Sequence, residues 1–120
     1  EVGEPYYWKR YAELNYYYLQ NLKEAEYGYH KAVQNGDYSY ATLIEWVDLM
    51  LLLEKYREAL PIISDVIQIY PHELVNYYRV AFAYYGVGEM EAAAHYFQLS
   101  VKQAPQWQSF FENKFDFKIE

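Results

Sequence analysis

The chain has 120 residues, enough for one domain with a real core, and its 53% hydrophobic and 22% charged content excludes a disordered chain. Its net charge of -7, with only 10 Lys and Arg scattered along it, argues against binding a phosphate backbone, so no nucleic acid partner is expected. It has no cysteine, which removes disulfides, thiolate zinc sites and cysteine nucleophiles.

The chain does not start with Met, and the expectation is a piece of a longer protein or a processed product. No signal peptide is visible. The most apolar stretch, TLIEWVDLMLLL, contains Glu45 and Asp48 and falls well short of the ~18 apolar residues of a membrane helix. A soluble chain without membrane insertion is expected, and its compartment stays open. Tyrosine is the outlying residue type at 17 of 120, and Tyr serves both interfaces and half-buried packing.

In chain order, Pro5 suits the first turn of a first helix. That helix runs into LNYYYL at 14–19. Successive helical side chains point about 100° apart, so the three tyrosines cannot share one core. NGD at 35–37 breaks the next helix. Leu43, Trp46, Val47 and Met50 then recur at helical spacing, as do Ala59, Ile62, Ile63, Val66 and Ile69. Pro61 lies past the start of its helix and predicts a late start or a slight kink. After YPHE at 70–73 come Tyr77, Val80, Ala81 and Tyr84. After GVGE at 86–89 come Ala93, Phe97 and Val101. APQ at 104–106 precedes a last helix over 106–116 in QWQSFFENKFDFKIE. Phe111 and Phe115 align there with Tyr77 and Ala81, while Lys114 and Lys118 also fall on inward columns. This helix is either a cap or the first helix of a cut fourth repeat. FDFKIE alternates like a strand.

A period of 34 residues ties these elements together. Ala25, Ala59 and Ala93 keep it. So do Tyr29, Ile63 and Phe97, then Ala32, Val66 and Ser100, then Asp37, Pro71 and Pro105. With the helix–turn–helix units, this period resembles the tetratricopeptide repeat (TPR) family. The match rests on Trp46, Val47, Met50, Ala59, Ile63, Val66 and Pro71 in the second unit, and on Ala25, Tyr29 and Ala32 in the first. In the third it rests on Tyr77, Ala81, Tyr84, Gly88, Ala93, Phe97 and Pro105. The resemblance implies an all-α fold, an α-α superhelix of about seven antiparallel helices. It implies one domain over 1–120, with repeats near 6–39, 40–73 and 74–107.

The first repeat departs from the pattern. The spacing of the later units puts Lys9 and Glu13 where large apolar and small residues belong. A shift of one residue puts Trp8, Tyr11 and Ala12 there, and it calls for one extra residue in the turn near Gln20 and Asn21. The shifted register is favoured and the unshifted one stays open. Unshifted, Tyr16 belongs to the core and Tyr18 to the groove. Shifted, Tyr16 joins Tyr17 in the groove.

The family resemblance implies that first helices line a concave groove where a peptide or protein partner lies. The groove residues would be Arg10, Tyr17 and Tyr18 in the first unit, Glu45, Asp48 and Leu52 in the second, and Tyr78, Arg79, Phe82 and Tyr85 in the third. Ile44, Leu51 and Val75 would adjoin them, and Tyr6, Tyr7, Lys9, Tyr11, Glu13, Leu14 or Tyr16 would do so depending on register. Such a surface suits a peptide held by ring stacking, apolar pockets and a few charges. Glu45 and Arg79 lie at equivalent positions and either pair or face the ligand. The basic clamp that one TPR subtype uses for acidic chaperone tails does not fit, because Leu14, Glu45 and Val75 stand where Asn, Asn and Lys are expected.

No enzyme, cofactor or metal site is expected. The three histidines are isolated. Glu91 and His95, at i and i+4, make a two-ligand pair that reads as a solvated helix face. Gly86 and Gly88 fit an inter-helix turn better than a phosphate loop. Besides a groove-bound partner, three roles stay open. They are homo-oligomerisation through Trp8, Tyr11, Trp107, Phe110 and Phe111, recruitment for a larger enzyme, and, most weakly, single-stranded RNA binding.

Overall fold

The structure, a computed structural model, describes residues 4–115. These residues are all-α, with seven helices and no strand among them. The helices are α1 (Glu4–Glu13), α2 (Leu22–Gln34), α3 (Tyr40–Leu52), α4 (Tyr56–Ile69), α5 (Asn76–Gly86), α6 (Met90–Gln103) and α7 (Gln108–Phe115). A π-helical segment, Leu14–Tyr18, continues α1, and a 3-10 turn, Pro105–Trp107, leads into α7. The strand-like FDFKIE lies outside the described residues except for Phe115, which is helical. No helix among the described residues is long and apolar enough to cross a membrane. The chain divides into two units, Glu1–Leu53 and Glu54–Glu120. The boundary falls inside the second of the expected repeats, at its inter-helix turn.

In the first unit, α2 buries Ala25, Gly28, Tyr29 and Ala32, one face at i, i+3, i+4 and i+7. Its contact with α1 is close. A Cβ placed on Gly28 would lie 2.9 Å from the Ala12 Cβ, so the site requires glycine. α3 is capped by Ser39, whose Oγ accepts from the Thr42 N–H at 3.4 Å. Asp37 braces this cap by accepting from the Ser39 N–H at 3.0 Å and the Thr42 hydroxyl at 2.8 Å. α3 packs on α2 through Trp46. Its ring stacks on His30 at 5.5 Å and its indole N–H donates to Glu26 at 3.1 Å.

In the second unit, α4 buries Ala59, Ile63 and Val66, and α6 buries Ala93, Phe97 and Ser100. These six, with Ala25, Tyr29 and Ala32, fill three columns of the 34-residue period, and all nine are buried. α7 lies on α5. Phe111 stacks on Tyr78 at 5.2 Å and Phe115 on Phe82 at 4.6 Å, and both phenylalanines are buried.

The turns between paired helices fix the register. Gln20, Glu54 and Gly88 are 34 residues apart and take φ of 53°, 61° and 85°. This left-handed conformation favours glycine, so Gln20 and Glu54 hold it against a steric cost. The turn is therefore alike in all three repeats, and no residue is inserted there. Yet Ala12 is fully buried, one position before the residue that 34-residue spacing aligns with buried Val47 and Ala81. The shifted register is the observed one, and the π segment absorbs the extra residue. The Leu19 N–H bonds to the Leu14 carbonyl five residues back, and the Asn21 N–H to the Asn15 carbonyl six back. The extra residue thus sits upstream of the turn where it was expected.

Pro61 does not delay its helix. α4 starts at Tyr56 and runs through the proline. Pro61 offers no N–H to the Arg57 carbonyl one turn earlier, and it is exposed. Pro61→Ala should therefore stabilise the protein, by up to about 3 kcal/mol on the helix-interior scale. Urea unfolding with an unchanged m-value checks this.

Candidate functional site

The π segment places the aromatic face of the first unit. Asn15 turns inward, is buried, and donates its side-chain N–H to the Tyr11 carbonyl at 2.9 Å. Tyr16 and Tyr17 do not diverge as neighbours on an α-helix would. Their rings stack with centroids 4.7 Å apart and planes 15° apart. Tyr18 is the most outward, 80% exposed. A hollow of about 400 Å³ beside them is lined by Arg10, Glu13, Leu14, Tyr17 and Tyr18. Arg10 lies 3.7 Å from the Glu13 carboxylate and 5.8 Å from the Tyr6 ring centroid. Tyr11 donates its hydroxyl proton to Glu24 on α2.

α3 sets carboxylates against this face. Glu45 is half-buried and accepts the Tyr29 hydroxyl proton at 2.7 Å, and Asp48 is buried. Burial pushes the Glu45 carboxyl above its usual range. The Tyr29 hydrogen bond offsets part of this, and the Glu13 charge adds to it. Burial and the Glu45 charge push the Tyr17 hydroxyl up to about 12. Burial first, then the Asp48 and Glu45 charges, raise Tyr16 as well. The first unit thus brings Arg10, Tyr17, Tyr18 and Glu45 of the expected groove into one neighbourhood of rings and charges, whereas Asp48, 7% exposed, is buried and offers no groove surface. Leu52, near the end of α3, is exposed.

The expected α5 groove residues differ. Tyr78 is 0% exposed and donates its hydroxyl proton to the Ala104 carbonyl at 2.9 Å. Arg79 is 6% exposed, donates to the Asn76 side chain at 2.9 Å, and holds its guanidinium 4.8 Å from the Phe111 ring centroid. Phe82 is buried against Phe115 and Tyr56. These three are core of the second unit, because α7 covers the face that the groove expectation left open. Tyr85 remains at the edge, 37% exposed and stacked on Phe82. Phe111 is buried too, so it leaves the set of exposed terminal aromatics. Leu51, expected beside the groove, is core.

Two features escaped the sequence reading. The partner found for Glu45 is Tyr29, read from the sequence only as a position of the 34-residue column, and a hydroxyl aimed from the core at a carboxylate has no sequence signature. The cover over α5 was partly visible, in Phe111 and Phe115 at i and i+4. Among the described residues, no group of three or more His, Asp or Glu side chains could hold a metal ion. No protein-family model matches this chain, and no curated protein sequence matches it.

The difference between the two faces is measurable. Tyr78→Ala should cost about 3–5 kcal/mol of stability, as for other large buried rings. Tyr17→Ala should cost less than about 1 kcal/mol, since only one exposed stacking contact is lost. Denaturant unfolding of both variants checks the contrast. The raised Glu45 carboxyl makes a second forecast. Folded Glu45 holds its proton more tightly than the unfolded chain does, so its ionisation opposes folding. Its contribution to stability should grow as pH falls through its raised value toward the ordinary carboxylate range. Glu45→Gln should remove that part of the pH dependence, read as a smaller wild-type-like difference between unfolding midpoints at pH 7 and pH 5.

Proposed function

We propose that this chain is a TPR-type scaffold for protein–protein interaction, without catalytic activity. We place its binding surface on the π-segment face of the first unit, where a peptide or protein segment would lie. The observation that carries this reading is the exposed Tyr17 ring, stacked on half-buried Tyr16, at the side of an open hollow. Stacked rings present a large, stiff contact area that loses little entropy on binding. Arg10 and Glu13 at the rim suit orientation of a charged ligand, and Leu14 supplies apolar contact. These groups suit contact rather than bond-making, since they offer no nucleophile next to a base. The family reading is supported by three buried columns and three left-handed turns that keep one 34-residue period.

Peptides selected by display against the whole chain test the proposal. They should bind Tyr17→Ala at least about tenfold more weakly, the loss of one interfacial ring. Peptides that bind Tyr17→Ala as tightly as the parent would place the surface elsewhere.

One observation favours self-assembly as a second reading. Trp107 and Phe110 are 41% and 47% exposed and meet edge to face at 5.5 Å, ahead of and within α7. In that case sedimentation should show concentration-dependent association that Trp107→Ala abolishes. A monomer across the whole concentration range rejects it.

A further inference from the structure

Tyr18 is the most exposed tyrosine of the described residues, at 80%. It ends the π segment, and the next three residues, Leu19, Gln20 and Asn21, are exposed and lie outside the helices. The Leu19 N–H bonds to the Leu14 carbonyl and the Asn21 N–H to the Asn15 carbonyl, so releasing this stretch costs few hydrogen bonds. A modifying enzyme needs both properties, an outward hydroxyl and a backbone that can leave the helix to enter its cleft.

Arg10 lines the same hollow as Tyr18. Its side chain is 67% exposed, and it lies 3.7 Å from the Glu13 carboxylate, too far for a hydrogen bond. An exposed pair of this kind holds an arginine weakly. Its other contact is with the Tyr6 ring, 5.8 Å away at the centroid, which takes up no N–H donor. A guanidinium with its fork of donors turned to a hollow suits a phosphate dianion, which it can bind through two parallel hydrogen bonds.

The other exposed tyrosines each lack one requirement. Tyr6, Tyr7, Tyr27 and Tyr85 lie within α-helices. Tyr38 lies in a loop, but beside Asp37, whose carboxylate braces the α3 cap and would repel a phosphate. Tyr17 is stacked on Tyr16, with the charges of Glu45 and Glu13 acting on its hydroxyl.

We infer that Tyr18 is a phosphorylation site and that Arg10 receives its phosphate in the shared hollow. A tyrosine kinase transfers the γ-phosphoryl group of MgATP to the Tyr18 hydroxyl oxygen. The new P–O bond forms there as the bond to the bridging oxygen of ADP breaks, and the phenolic proton passes to the base of the kinase. The dianion displaces Glu13 as the partner of Arg10 and fills the hollow. On the reading proposed above, this takes the hollow from the ligand; that consequence rests on that reading, and the tests below do not.

The full chain, incubated with MgATP and a tyrosine kinase domain of broad specificity and mapped by peptide mass spectrometry, tests the site. Tyr18 should take up phosphate at least about tenfold faster than Tyr6, Tyr17 or Tyr38. A phosphorus NMR titration of the singly phosphorylated chain tests the capture. The second ionisation of phosphotyrosine ordinarily falls at about 6, and in the folded chain it should be at least about threefold stronger than in urea. Arg10→Gln, at an exposed position, should stay folded and return the ionisation to its value in urea. Glu13→Gln removes the competitor and should strengthen it further. A folded chain that takes no phosphate at Tyr18, or takes it elsewhere as fast, overturns the inference. So does a phosphate that ionises alike in the folded chain and in urea, or a difference that survives Arg10→Gln.

Discussion

The contact of Ala12 with Gly28 and the left-handed turn at Gln20 are two fixed points, and the helix between them holds one residue too many. From Ala12 to Gln20 is eight residues, whereas Val47 to Glu54 and Ala81 to Gly88 are seven. Gly28 has no side chain to yield, and backing away would open a void in a core packed to crystal-like density. The turn geometry also recurs in every repeat. The surplus therefore goes into the helix itself, as a π segment whose hydrogen bonds reach back five and six residues. Everything distinctive about the first unit follows from this. Asn15 turns in, Tyr16 and Tyr17 come to stack, and Tyr18 is left in solvent.

Tyrosine serves two different ends in the two units. Around the π segment Tyr17 and Tyr18 stay at the surface, and partial burial, with the Glu45 charge second, raises the Tyr17 hydroxyl to about 12. In the second unit Tyr78 is a core residue that spends its hydroxyl on the Ala104 carbonyl. The difference is α7, which lays Phe111 and Phe115 over α5. Where such a helix covers the repeat, aromatic surface becomes core. Where none does, it stays available to a partner, and that is the basis of the proposed groove.

The helices were legible because their evidence is periodic. Ala25, Ala59 and Ala93 mark the same column, and each is fully buried. The π segment was only half legible. Ala12 and Trp8 showed that a residue was surplus, but the backbone could absorb it in the helix or in the turn, and side-chain patterning does not distinguish the two. Pro61 was misleading in one respect, because α4 tolerates it inside the helix and packs its other face regardless. The site was less legible than the fold. A groove residue and a core residue on α5 look alike when the cover comes from Phe111 and Phe115, some thirty positions further on. The pairing of Tyr29 with Glu45 likewise depends on how α2 meets α3, which no local pattern states.

The central claim is that one surplus residue creates the π segment and, with it, the aromatic face. Comparing two single-residue deletions tests it most directly, since Tyr18 and Tyr27 are both exposed tyrosines on helical elements. Deleting Tyr18 restores the seven-residue spacing from Ala12 to the turn, so the unfolding midpoint in urea should hold or rise, within about 1 kcal/mol of the parent. Deleting Tyr27 rotates Gly28 and Tyr29 by about 100° away from their partners and should cost more than about 3 kcal/mol. If deleting Tyr18 is as damaging as deleting Tyr27, the π segment is not the repository of a surplus residue, and the account is wrong.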